Sequence, residues 1–109
     1  MNPTPSHDAI RALLKQHPVV LFMKGTPDSP SCGFSRTVCT ILSMYKVPYH
    51  AVNVLDDMLL RQDIKTFSDW PTIPQLYINE EFIGGCDIVH DMHDANELTA
   101  LFARVTSGA

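Results

Sequence analysis

Basic blocks, long apolar runs and paired cysteines are what this chain lacks, and each absence removes a class of function. Eight Lys/Arg against twelve Asp/Glu give a formal net charge of −4, and the basic residues are scattered. A nucleic acid or an anionic membrane needs a concentrated positive field, so neither is expected as a partner. The longest unbroken apolar run, Val19 to Met23, is a fraction of the ~20 residues a spanning helix requires. Cysteine occurs only at Cys32, Cys39 and Cys86. So sparse and odd a set is no framework for a secreted disulfide scaffold and points to a reducing compartment. Met1 to Gln16 holds one arginine and one lysine and no Arg/Ser-rich amphipathic stretch, so no transit peptide is visible.

What is present suits one small domain. With 109 residues, 45% of them apolar, a single hydrophobic core is expected over 1–109, with 1–6 and 107–109 as frayed tails. No internal repeat or low-complexity segment interrupts it. Ser6 or Asp8 is placed to cap a first helix carrying Ile10, Leu13 and Leu14, which Pro18 ends. Val19 to Met23 reads as a strand covered on both faces, and Gly25 to Ser31, rich in Pro and Gly, as a loop. Phe34, Val38, Ile41, Leu42 and Tyr45 recur at helical spacing over Gly33 to Lys46. Tyr49 to Val54 reads as a second strand, and Asp56-Asp57 open a helix faced by Leu59, Leu60, Ile64 and Phe67. Leu76 to Ile78 and Phe82-Ile83 then form a hairpin around Asn79-Glu80-Glu81, followed by helices over Asp87 to His93 and Ala95 to Val105. A β-α-β-α order closed by a hairpin implies an α/β, thioredoxin-type fold: a four-stranded mixed sheet with helices on both faces.

The chemistry concentrates at Cys32-Gly33-Phe34-Ser35. A cysteine at a helix start suits thiolate chemistry, because free backbone N–H groups and the helix dipole favour negative charge there. A dithiol redox motif would carry a second cysteine three residues on, and Ser35 removes that intramolecular exit. Cys39, beside the apolar stripe, is expected to pack in the core. His90 and His93 lie three apart on a helix, but two ligands do not make a metal site, and a solvated face is the expectation.

Four segments in order, Met23-Lys24-Gly25-Thr26-Pro27, Pro30 to Ser35, Trp70-Pro71-Thr72-Ile73-Pro74-Gln75 and Gly84-Gly85-Cys86-Asp87-Ile88, resemble the monothiol glutaredoxins of the Cys-Gly-Phe-Ser class over almost the whole length. The resemblance implies a glutaredoxin fold with Cys32 as the working thiolate and a cis Pro74 facing it. It also implies a site for glutathione or a related thiol. Backbone of Ile73 at Pro74 would pair with the extended peptide, Lys24 and Arg61 would take its glycine carboxylate, with Lys65 able to substitute for Arg61, and Cys86 and Asp87 would hold its γ-glutamyl end. On residue type alone a helix N-cap is the commoner role for an aspartate such as Asp87.

A 2Fe-2S cluster needs four ligands, and the resemblance supplies them from Cys32 and glutathione of two subunits. A homodimer when cluster-bound and a monomer when apo follow from it, with cluster donor and acceptor proteins as partners. Iron–sulfur cluster transfer is the leading function, and the alternative is at most a weak glutathione-dependent thiol–disulfide oxidoreductase acting through Cys32 on protein mixed disulfides. The same turn would bring Cys86 near Cys32 and leaves a disulfide between them open. Glu80-Glu81 stands where relatives often have a glycine. The compartment expected is the mitochondrial matrix, with the bacterial cytoplasm as the alternative.

Overall fold

The computed structural model of the protein describes residues 5–107. Its elements run α1 (Pro5–Gln16), β1 (Val19–Met23), the short β2 (Gly25–Thr26) and β3 (Ser29–Pro30), α2 (Gly33–Tyr45), β4 (His50–Asn53), a 3₁₀ turn (Val54–Asp56), α3 (Met58–Ser68), β5 (Gln75–Ile78), β6 (Glu81–Gly84), α4 (Cys86–Asp94) and α5 (Leu98–Ser107). The main sheet has the order β4-β1-β5-β6, with β4 parallel to β1 and the two later pairings antiparallel. The four-stranded mixed sheet expected from the sequence is therefore present.

β1 supports both layers because all five of its residues are buried. Successive side chains of a strand point to opposite faces. Val19, Leu21 and Met23 accordingly pack with Val38, Ile41 and Leu42 of α2, Val89 of α4, and Leu98 and Phe102 of α5. Val20 and Phe22 pack with Ile10 and Leu14 of α1, Ile64 of α3, and Tyr77. Cys39 lies in the first cluster with its Sγ 3.6 Å from Met23 Sδ, the core role expected of it.

Several boundaries differ from those the residue pattern suggested, each for a local reason. Helix α1 begins at Pro5, so Ser6 and Asp8 both lie inside it, and Asp8 sits in its first turn beside Arg11 at 3.3 Å. Pro5, Ser6 and Ser107 belong to helices, while the remainder of the expected tails lies outside the described residues. The Gly25 to Ser31 loop is a small hairpin in which Gly25 pairs with Pro30 and Thr26 with Ser29. β4 is shorter than Tyr49 to Val54 because Asn53 turns its side chain back to accept from Leu55 N–H at 3.0 Å, which starts the 3₁₀ turn. Asp57, not Asp56, caps α3 through bonds from Leu59 and Leu60 N–H at 3.0 and 3.1 Å.

The hairpin between β5 and β6 turns on Asn79 and Glu80, both at positive φ, 52° and 69°. Asparagine tolerates that region, whereas Glu80 carries a Cβ against the following carbonyl. Replacing Glu80 with Gly should therefore stabilise the fold by about 0.5–1 kcal/mol, read as a rise of a few degrees in Tm. An unchanged or lower Tm would mean that the turn exacts no conformational cost.

Candidate functional site

The strand directions bring three separated segments to one end of the sheet. β1 ends at Met23, and the Phe22 to Gln75 pairing sets the start of β5 beside that end. The Leu76 to Gly84 pairing sets the end of β6 next to it. Lys24, Ile73-Pro74 and Gly85-Cys86 thus follow one another across the sheet end. They line a groove of about 330 Å³ together with Phe34, Lys65, Trp70, Thr72, Asp87 and Ile88.

Cys32 stands beside this groove as the N-cap residue of α2, with extended backbone (φ −147°, ψ 157°). Its Sγ accepts from Ser35 N–H at 3.3 Å, the place a serine or aspartate oxygen usually takes in a cap. The small hairpin delivers it there. Ser31 N–H donates to Lys24 O at 2.9 Å, and Gly25 N–H donates to Asn53 Oδ1 at 2.9 Å, which ties the hairpin to the end of β4. Gly25 has φ +88°, and a Cβ there would lie 2.5 Å from Ser29 O, so only glycine permits the turn.

Ser35 is more than an absent thiol. It is fully buried, and its Oγ accepts from Lys24 N–H at 3.1 Å while lying 3.3 Å from Cys32 Sγ. The hydroxyl keeps a second lone pair to accept from the Cys32 thiol and a proton to donate to its thiolate. Burial alone would raise the Cys32 pKa. Bonds from the Ser35 hydroxyl, from Ser35 N–H and from Phe34 N–H, with the Lys24 charge, outweigh it and hold the thiol below its ordinary value. Cys86 is the opposite case. Burial, the Asp87 charge and the proximity of Cys32 push its thiol up, against a bond with Thr37, so it stays protonated where Cys32 ionises. Both cysteines are free.

The other residues singled out in the sequence divide between groove and elsewhere. Lys24, Ile73, Pro74, Cys86 and Asp87 all line the groove, and the Ile73-Pro74 bond is cis. Arg61 does not line it, and the basic residue that α3 contributes is Lys65, one turn later. Asp87 is not an N-cap. Gly85 takes that position, leaving Asp87 in the first turn of α4. Gly85 also lets α4 start close to the loop before β5, since a Cβ there would sit 3.2 Å from Pro74 O and 3.3 Å from Trp70 Nε1. The two helical histidines go separate ways, His90 to Asp94 at 3.4 Å and His93 to Tyr45 Oη at 2.6 Å. Among the described residues no three His, Cys, Asp or Glu side chains converge as a metal site.

Two contributors escaped the sequence pattern. The motif marks Ser35 only as the residue in place of a second thiol, although a serine three residues after a cap position is within reach of it. Gln75 is a buried glutamine inside an apolar strand, bonded to the backbone of Trp70 and Thr72.

A single ionisable thiol at a helix start, facing a groove on a thioredoxin-type sheet, defines a class of thiol proteins, and comparison with known proteins makes it specific. The family model for glutaredoxin matches residues 19–83. Monothiol glutaredoxin-5 of Lachancea kluyveri, named as mitochondrial, is 50% identical over 101 residues, 90% of this chain and 71% of that protein. A probable monothiol glutaredoxin 2 of Rickettsia typhi is 55% identical over 89 residues, 82% of this chain and 80% of that one. Among solved structures, a reduced apo glutaredoxin from poplar superposes with a TM-score of 0.83 at 45% identity, covering 98% of this chain and 99% of that one. The chain belongs to the glutaredoxin family, and its relatives are monothiol members from both mitochondria and bacteria.

The Ser35 geometry predicts a pH effect with a definite sign. Because Ser35 favours the thiolate, Ser35→Ala should move the pH profile of Cys32 alkylation by iodoacetamide to higher pH. At pH 7 the rate should fall by about tenfold, the lower end of the worth of one hydrogen bond to a charged group. A profile that stays in place would remove Ser35 from the control of the thiol.

Proposed function

We propose that the protein binds glutathione in the groove beside Cys32 and, as a pair of chains, carries a 2Fe-2S cluster held by two Cys32 thiolates and two glutathione thiolates. The observation that carries the reading is the order of groups across the sheet end. Cations at Lys24 and Lys65, the Ile73-Pro74 backbone and the first turn of α4 with Asp87 line one groove, with a lowered thiol beside it. Glutathione has a carboxylate at each end and an ammonium at one of them. Lysine charges suit the glycine carboxylate, and the free N–H groups at the α4 N-terminus suit the γ-glutamyl one. The Asp87 carboxylate suits the ammonium.

Arg61 takes part only if its long side chain swings from α3 toward Lys65. Metal ligation needs the thiolate, and the arrangement around Ser35 lowers the Cys32 thiol toward that form. A single protein thiolate leaves the remaining cluster positions to other donors, and a second chain with two glutathione thiols completes four. Half of the ligands are then diffusible, which suits cargo that is received from donor proteins and passed to acceptors. The apo chain is a monomer in this scheme. Relatives named for mitochondria support a mitochondrial matrix protein, and the Rickettsia relatives support the bacterial cytoplasm as the alternative.

A second reading is supported by the same lowered thiol. The Cys32 thiolate attacks the glutathione sulfur of a protein mixed disulfide, the protein thiolate leaves, and a Cys32–glutathione disulfide forms. A second glutathione thiolate then releases Cys32 and oxidised glutathione. Nothing in this route requires Ser35 to be a cysteine.

Anaerobic reconstitution with iron, sulfide and glutathione separates the two. Cluster transfer predicts a coloured species at twice the apo size, lost in Cys32→Ser. A colourless monomer with rapid turnover of a glutathione mixed disulfide would favour the oxidoreductase instead. In either case Asp87→Ala should weaken glutathione binding about tenfold, the loss of one charge-assisted bond, and unchanged affinity would show that the peptide lies elsewhere.

A further inference from the structure

The loop between α3 and β5, Asp69 to Pro74, supplies five residues of the groove lining, yet it has no strand partner to hold it. Its backbone is held from beneath. Gln75, fully buried, donates through Nε2 to Trp70 O at 3.1 Å and to Thr72 O at 3.2 Å. Its Oε1 accepts from Tyr77 Oη–H at 3.0 Å. Both amide protons and the carbonyl oxygen are therefore engaged, and a buried amide survives only when it is so satisfied.

Tyr77 is itself locked. Its ring packs against Phe22 at 5.6 Å and Phe82 at 5.3 Å, and burial pushes its phenol up to about 12, so it remains a donor throughout the physiological range. Phe82 also meets the Trp70 ring at 5.8 Å, which joins the same loop to the same aromatic cluster. Strand β5 otherwise presents apolar residues at its buried positions, so packing alone does not call for an amide at 75.

We propose that Gln75 is a positioning residue for the groove: anchored by Tyr77, it clamps the carbonyls of Trp70 and Thr72 and so sets where Thr72, Ile73 and the Trp70 ring stand. Gln75 touches no ligand. It acts through the loop it holds.

Trp70 is the only tryptophan in the chain, so its fluorescence reports this loop alone. In Gln75→Met, which keeps the volume and loses all three bonds, quenching of Trp70 by acrylamide should rise about twofold, and glutathione affinity should fall about tenfold, since two part-buried carbonyls lose their donors. Tyr77→Phe, which removes only the anchor, should move both in the same direction and by less, and it carries the test if Gln75→Met does not fold. Leu98→Ala, remote in α5, serves as the control for a general loss of stability and should leave both readouts at wild-type values in the folded protein. Wild-type quenching in a folded Gln75→Met or Tyr77→Phe would overturn the proposal, as would equal changes in Leu98→Ala. The affinity readout rests on the glutathione reading, whereas the quenching readout does not. A wild type that binds no glutathione while Gln75→Met still gains quenching would retain the clamp and discard the ligand.

Discussion

The hydrogen bond from Lys24 N–H to Ser35 Oγ joins the end of the central strand to the first turn of the helix that bears the thiol. Everything at the site depends on that junction. It fixes the Lys24 backbone, and hence the direction in which its side chain enters the groove. It also holds the serine hydroxyl 3.3 Å from the Cys32 sulfur, where it can accept from the thiol and donate to the thiolate. Where a dithiol motif has its second thiol, this chain has a buried serine, whose bonds to Cys32 help lower its thiol.

The rest of the end of the sheet is built around that thiol. β5 and β6 deliver a neutral wall on one side, Ile73-Pro74, and the start of α4 next to it. Cys86 lies close enough to Cys32 for the two to influence each other, but its surroundings favour the protonated form. The two neighbouring thiols are therefore shifted in opposite directions, Cys32 toward the thiolate and Cys86 toward the thiol. Cys32 is the one suited to ligate or attack.

Much of this was legible in the residues because the signals were local. An unbroken apolar run at Val19 to Met23, helical spacing from Phe34 to Tyr45 and a turn at Asn79-Glu80 each specify their own element, and the topology follows from their order. Lys24, Cys32, Ile73, Pro74, Cys86 and Asp87 were readable through motifs, and all of them gather at one end of the sheet, Cys32 beside the groove and the others lining it. What was not legible depends on distance in three dimensions. Choosing Lys65 over Arg61 requires the rotation of α3 about its own axis, which one turn of sequence does not settle. The Gln75 clamp requires the Trp70 to Thr72 carbonyls to fold back under the strand. The stacking of His17 on His50, with ring centroids 4.1 Å apart, joins the loop after α1 to β4 and leaves no trace in spacing. Ser35 is legible as a residue type, but its burial and its two partners are not.

The central claim is that the single thiolate is completed by an external thiol seated in the groove. Acid release and quantitation of glutathione from the purified, reconstituted cluster-bound protein tests it most directly. The account predicts one glutathione for each chain, together with two irons and two sulfides for each pair of chains. A cluster-bound protein that releases no glutathione would contradict it.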